Sequence, residues 1–311
     1  MPDAPTRSRR TKPPVATTEV IGGVERVVRP RMREAYHFQP SHLPVYFLLL
    51  VGAIVSVTPF FYMVSTSLMT LGETINRVLL PASPQFVNYE IAWNESHFAL
   101  YFRNSVIITA VVIIGVLFTC TLAGYAFARI EFPGREFLFS VLLATLMIPG
   151  TVTFIPNLLL IRGQIIPWGS WMNSLPALTV PFMATAFIIF LLRQFFVGIP
   201  GELFDAARID GAGHLRFLTA VVIPMSRPVM MTATLLTFVT SWNEFLWPLL
   251  VTTTPKWRPL GVGLYTFISE AGPETQLLMA GTVITVIPVL VVYFFTQKQF
   301  TEGIATSGLK G

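Results

Sequence analysis

This chain is poor in cysteine and in charge. Of its 311 residues, one is a cysteine, Cys120, inside an apolar run. One thiol forms neither an internal disulfide nor a metal cluster, so Cys120 reads as a small buried hydrophobe. Charged residues make up 12% of the chain. Soluble domains carry roughly 25%, so water is not the solvent for most of this one. The four histidines are scattered, which leaves no His/Cys cluster for a metal, and no catalytic constellation stands out. GIATSGLK near the C-terminus has two glycines at phosphate-loop spacing. Leu309 stands where that loop needs its lysine, and no Ser or Thr follows. Asn94-Glu-Ser96 is a formal glycosylation tripeptide of a kind frequent by chance.

Apolar residues are plentiful. The chain is 53% hydrophobic, with 26 Phe and 24 Pro, and its mean hydropathy is +0.65. The bilayer is the expected solvent. Proline is tolerated there where neighbouring helices satisfy the freed backbone groups. The apolar runs are long and continuous, unlike the short alternating strands of a membrane barrel. The expected class is an all-α integral membrane protein. Six spans are placed at roughly 45–67, 104–128, 138–161, 175–194, 229–250 and 276–296, each near the ~20 residues a span needs. The charge-free interval 163–192 is divided from the span before it at RGQIIPWGSW, whose Pro, Gly and Trp suit a surface loop.

The first apolar run is too long for a signal-peptide core and no small-residue cleavage site follows, so it reads as a retained anchor. Residues 1–42 read as a basic, mostly disordered cytoplasmic tail, whose charges could touch anionic lipid. Residues 43–100 hold the first span and an external loop, mildly acidic and suited to capping the outer face. Residues 101–297 hold the other five spans, and 298–311 form a C-terminal tail. With both termini inside, 16 of the 21 Lys and Arg fall on the cytoplasmic side, as the positive-inside rule prefers. The net charge of +5 therefore reports topology and is not read as nucleic-acid binding.

The segment 200–228, PGELFDAARIDGAGHLRFLTAVVIPMSRP, lies between spans four and five on the cytoplasmic side. Pro200-Gly201 breaks from span four. Glu202 and Asp205 are placed in the first turn of a short helix, where the dipole favours anions. Arg208 follows Asp205 by three, a same-face pair. Asp210-Gly211 ends the helix, since glycine takes the left-handed cap. A second helix is expected over about 213–223, and Pro224 and Pro228 are expected to re-aim the chain into span five. Such an L is either a solvated amphipathic loop or a rigid charged arm.

DAARIDGA with its downstream proline resembles the EAA loop of ABC-importer permeases. The match covers Asp205, Ala206, Ala207, Asp210, Gly211, Ala212 and Pro224, with Asp205 where glutamate is usual. LLRQFFVGIPGEL, SWNEFLWPLL and GIATSGLKG resemble the carbohydrate-uptake permeases of the maltose type, and the similarity runs from about residue 44 to the end.

The resemblance implies a type I ABC importer permease fold with six transmembrane helices and a cytoplasmic coupling helix. It implies a second permease subunit, two ATPase subunits that carry ATP and Mg, and an extracytoplasmic substrate-binding protein. The chain itself would be no enzyme and carry no cofactor. Glu202, Asp205, Ala206, Ala207, Arg208, Asp210, Gly211, Ala212 and Pro224 would couple to the ATPase, and Gly303, Gly308 and Lys310 of the tail would reach it. Trp242, Asn243 and Glu244 in span five read equally as a polar wall of the substrate path or as interhelical contacts. In maltose-type relatives the partner permease holds most of the sugar. The cargo is expected to be a sugar or, alternatively, glycerol phosphate or another polyol derivative. A stand-alone secondary transporter using Glu244 is the competing class.

Overall fold

The computed structural model describes residues 17–21, 24–28, 43–94, 97–165, 169–265, 267–269 and 272–307. The chain divides into two compact units between Val57 and Thr58. In the first, strands β1 (Thr17–Ile21) and β2 (Val24–Val28) form an antiparallel hairpin, with Thr17 opposite Val28 and Ile21 opposite Val24. These ten residues lie within the segment 1–42 that the sequence reads as mostly disordered. β-Branched residues dominate both strands, as extended backbone favours. Helix α1 (Leu43–Ser67) crosses the unit boundary and is apolar on all sides, with Pro59 inside it.

The remaining elements belong to the second unit. They are α2 (Leu71–Ile75), α3 (Val87–Asn94), α4 (Phe98–Arg129), α5 (Arg135–Ala144), α6 (Phe154–Ile161), α7 (Leu175–Thr179), α8 (Ala186–Val197), α9 (Gly201–Ile209), α10 (His214–Phe217), α11 (Ile223–Met225), α12 (Arg227–Trp242), α13 (Leu246–Val251), α14 (Leu260–Tyr265), a two-residue hairpin of β3 (Ile268–Ser269) and β4 (Gly272–Pro273), and α15 (Thr275–Ser307). Short 3-10 turns extend α5 and α7 and precede α6.

Among the described residues, three helices are long and apolar enough to cross a membrane unaided: α1, α4 and the first 22 residues of α15. Three bent pairs raise the number to six if each pair is one span. Residues 135–147 and 150–161 meet at 96°, residues 175–182 and 186–197 at 45°, and residues 214–225 and 227–242 at 80°. The first break falls at Ile148-Pro149. Proline offers no N–H and drives the residue before it to extended backbone, and Ile148 sits at φ −85°, ψ 118°. Helix α8 restarts after its break because the Thr185 side chain accepts the Ile188 N–H.

Two cores fill the unit. One joins the middle and C-terminal end of α4 to α8, α10 and the start of α12, and buries Cys120, Leu192, Phe196, Phe217 and Val222. The other lies toward the start of α4, where Phe98 and Tyr101 meet Trp242, Leu260, Leu277 and Ala280. Residues 68–94 close this second end. Asn88 Nδ2 donates to the carbonyls of Ser67 and Met69 at 2.9 and 2.8 Å, and Ser65 Oγ donates to the Leu79 carbonyl. Glu73 joins two turns of the loop by accepting the N–H groups of Thr70 and Ala82, each at 2.8 Å.

Those backbone donors hold the Glu73 carboxyl below its ordinary value. A depressed folded value contributes order above the unfolded value, lost as pH falls through the folded one. Amide exchange at Thr70 and Ala82 is therefore expected to accelerate several-fold below the ordinary glutamate range. Glu73→Gln should show the fast rate already at pH 7, and exchange independent of pH in the wild type, after correction for intrinsic rates, would refute this.

Candidate functional site

The elbow is built from local chemistry. Helix α9 starts after Pro200 and carries Glu202 in its first turn. Asp205 falls in the second turn, one turn later than expected. The helix ends in a complete Schellman cap. Gly211 takes φ +75°. Its N–H reaches the Arg208 carbonyl at 3.0 Å, and the Ala212 N–H reaches the Ala207 carbonyl at 2.8 Å. Asp210-Gly211-Ala212 is thus C-cap, left-handed residue and small follower.

One face of the elbow points inward. Phe204 lies 5.1 Å, centroid to centroid, from both His214 and Phe217. Tyr125 on α4 is hydrogen-bonded through its hydroxyl to His214 Nδ1 at 3.0 Å. The other face is open: Glu202, Leu203, Asp205, Ala206 and Asp210 are exposed, and Ile209 is 87% exposed. Arg208 does not pair with Asp205 as expected. Its guanidinium lies 5.7 Å from the centre of the Phe204 ring. Among the described residues both ion pairs involve Glu136, with Arg135 and with Arg193, so Asp205 faces solvent without an internal cation.

Pro224 does not turn the chain. The helical stretch runs from His214 to Met225, widened by a π turn at Leu218–Val222 just before the proline. A π turn accommodates the N–H that Pro224 lacks. The 80° bend falls at Ser226, with Pro228 in the first turn of α12.

Above the elbow, α4 and α8 cap each other. Arg129 Nη2 donates to the carbonyls of Phe196, at 2.8 Å, and Ile199. Arg193 Nε donates back to the Phe127 carbonyl at 3.2 Å, and its guanidinium lies 4.0 Å from the Phe139 ring centre. Each cation closes the orphan carbonyls of the neighbouring helix end. In the sequence these arginines mark only the edges of apolar runs.

A cavity of about 310 Å³ lies between α4, α8, α12 and α13. Of Trp242, Asn243 and Glu244, only Glu244 lines it. Trp242 is a core residue: it is buried, stacks on Phe238 and donates Nε1–H to the Thr285 carbonyl of α15 at 3.2 Å. Asn243 caps α12 and returns its Nδ2 to the Val239 carbonyl at 2.8 Å. Glu244 is not at a helix centre. The expected span 229–250 is broken after Trp242, because Pro248 has no N–H to give the Glu244 carbonyl. The Glu244 carboxylate instead accepts the Trp247 N–H at 3.1 Å. Thr237, Thr240 and Ser241 share its cavity wall. Their spacing with Glu244, one helical face, is the signal that could have found them.

In the tail, Gly303 lies on α15, which continues to Ser307. Gly308 and Lys310 lie outside the described residues.

Residues 120–305 match the family model described as binding-protein-dependent transport system inner membrane component. The chain is 32% identical over 249 residues to the arabinooligosaccharides transport system permease protein AraQ of Halalkalibacterium halodurans, covering 79% of this chain and 86% of that one. It is 31% identical over 272 residues to the sn-glycerol-3-phosphate transport system permease protein UgpE of Yersinia enterocolitica, covering 84% and 94%. It is 32% identical over 263 residues to the diacetylchitobiose uptake system permease protein NgcG of Streptomyces coelicolor, covering 83% and 85%. A crystal structure of a bacterial ABC transporter involved in the import of the acidic polysaccharide alginate shares the fold, with TM-score 0.74 and 24% identity over 84% of this chain and 98% of that one. The elbow, the bent spans and these matches together place this chain in the family of binding-protein-dependent transport system inner membrane components, as an ABC transporter permease.

Proposed function

We propose that this chain forms half of the membrane pathway of an ATP-driven carbohydrate importer, with α9 as its coupling helix. The observation that carries this is the elbow. A capped, rigid helix is held inward by Phe204 and His214 while it presents Glu202, Asp205, Ala206 and Ile209 outward. An exposed, unpaired carboxylate beside a nearly bare isoleucine suits a protein partner. Two ATPase subunits with bound ATP and Mg supply the force, and a second permease completes the pathway. An extracytoplasmic binding protein delivers the cargo. Both termini and the elbow lie in the cytoplasm. ATPase closure biases one of two arrangements of the spans, which is alternating access. The 310 Å³ cavity lies on the cargo path.

Relatives named for arabinooligosaccharides and diacetylchitobiose support a small carbohydrate as cargo. The relative named for sn-glycerol-3-phosphate keeps a polyol phosphate as the second reading.

Purification of the tagged chain in mild detergent should bring down a second permease and an ATPase. A cysteine introduced by Gly213→Cys should react from the cytoplasmic side alone. A lone chain that transports in vesicles without ATP would overturn the importer, and labelling from outside would overturn the orientation.

A further inference from the structure

We propose that Glu244 sets the charge of the cargo: the cavity admits uncharged sugars and disfavours anionic ones. The inference rests on the reading that the cavity lies on the cargo path. Relatives and fold neighbours include importers of both kinds, so family membership leaves the question open.

The cavity wall answers it by what it offers a ligand. Its polar side chains are Ser105, Thr185, Thr237, Thr240, Ser241 and Glu244. Five are neutral hydroxyls, and among the described residues Glu244 is the single charged one of the lining. Phosphates and uronates are held by arginine forks, lysines or rows of free N–H groups, and among the described residues no Lys, Arg or His lines this cavity. The Trp247 N–H at the start of α13 is taken by the Glu244 carboxylate. From this chain an anion would therefore meet one negative charge and no compensating cation among the described residues. At about 5 Å and an effective dielectric near 20, such a pair disfavours the anion on the order of 100-fold.

A neutral sugar suits the same wall. Its hydroxyls can donate to Glu244 and exchange hydrogen bonds with Thr240 and Thr237. Its C–H faces can lie on Phe182, Phe187 and Trp247, which also line the space. Glu244 has a structural task as well, since it caps the start of α13 through Trp247. Glutamine retains the oxygen acceptor for that hydrogen bond and removes only the charge, so Glu244→Gln separates the two roles.

The test reads the cavity's charge without knowing its cargo. The native Cys120 is removed by Cys120→Ser, and a thiol is placed in the wall by Ser241→Cys, with Thr240→Cys as a second position. The chain is assembled with its partners in membrane vesicles. Rates of modification by a cationic and an anionic methanethiosulfonate reagent of similar size are compared, with and without ATP. The cationic reagent is expected to react about ten-fold faster relative to a free thiol, and Glu244→Gln should bring that ratio close to one. Equal rates, or a preference that survives Glu244→Gln, would overturn charge selection and leave the cavity on the path. Failure of both reagents at both positions, with and without ATP, would show a closed cavity and remove the path reading itself. Efficient import of sn-glycerol 3-phosphate by the unmodified transporter would overturn the proposal while sparing the importer.

Discussion

Asp205→Lys is expected to leave the protein in the membrane at its normal level and to lower uptake by at least about 100-fold. The first half follows from the structure. Asp205 is exposed and has no ion pair among the described residues. Surface changes away from caps and networks fall within about 0.5 kcal/mol. The second half follows from the coupling reading. If an ATPase cation faces Asp205, lysine sets like charges against each other across a docking surface, which costs several kcal/mol. Each ~1.4 kcal/mol is ten-fold in the bound fraction, so about 3 kcal/mol accounts for the loss. Asp205→Asn removes the attraction without adding repulsion and should cost roughly ten-fold. Asp205→Glu lengthens the side chain by one methylene and should remain close to wild type. Uptake into vesicles and retention of the ATPase on the tagged chain are the two readouts. Normal uptake by the lysine variant would end the coupling role of this residue.

The elbow was legible in sequence because its chemistry is local. Pro200 starts the helix, Gly211 ends it, and Ala212 fits behind the turn. All three act through neighbours within a few residues, and the Schellman cap closes where Asp210-Gly211 places it. The orientation of Arg208 was not legible. The i,i+3 spacing made Asp205 its natural partner, but Phe204 offers an aromatic face, and no rule of spacing weighs the two. The spans followed the same division. Their apolar runs fixed six segments, yet the chain breaks at 148–149, 183–185 and 226, where bent pairs meet at 45° to 96°. Pro149 announced the first break. Ser226 announced nothing, because Pro224 and Pro228 flank it and either could have been the corner.

The cavity lay deeper still, since it needs four helices to exist. Trp242 is the last residue of α12, Asn243 caps it and Glu244 lies beyond it, so the three do not share one helical face. One of them can face a given space, and that one is Glu244. Trp242 turns instead toward α15, where the Thr285 carbonyl takes its N–H and offsets the cost of burying a polar atom. The face of α12 that does border the space is Thr237, Thr240 and Ser241, residues that look like ordinary polar interruptions of an apolar helix.

The largest structural effect is expected where α4 meets α8. Gly124→Leu should lower the apparent melting temperature of the purified protein by roughly 10 °C, with uptake falling in parallel. A Cβ at Gly124 would stand 3.1 Å from Leu192 Cβ, 3.3 Å from the Arg193 backbone nitrogen and 3.4 Å from the Ile189 carbonyl oxygen. Two of these are backbone atoms of a helix and do not yield as a side-chain tip would. Leucine adds three carbons beyond that Cβ. Overpacking of this kind costs about 1–3 kcal/mol. The helices must separate, and the arginine caps lie just below. Arg129 on Phe196 and Arg193 on Phe127 hold at 2.8 and 3.2 Å, so an ångström of separation breaks both. Each buried carbonyl left without its donor costs a further ~1–3 kcal/mol. These terms sum to about 3–9 kcal/mol, and the lower part of that range corresponds to about 10 °C at the roughly 2–4 °C per kcal/mol of a domain of 150–250 residues. Gly52→Leu is the control, because nothing lies within 4 Å of a Cβ there and leucine favours helix over glycine. Equal melting of the two variants would mean that α4 and α8 separate without cost. The elbow, pinned to α4 through Tyr125 and His214, would then have lost its rigid support.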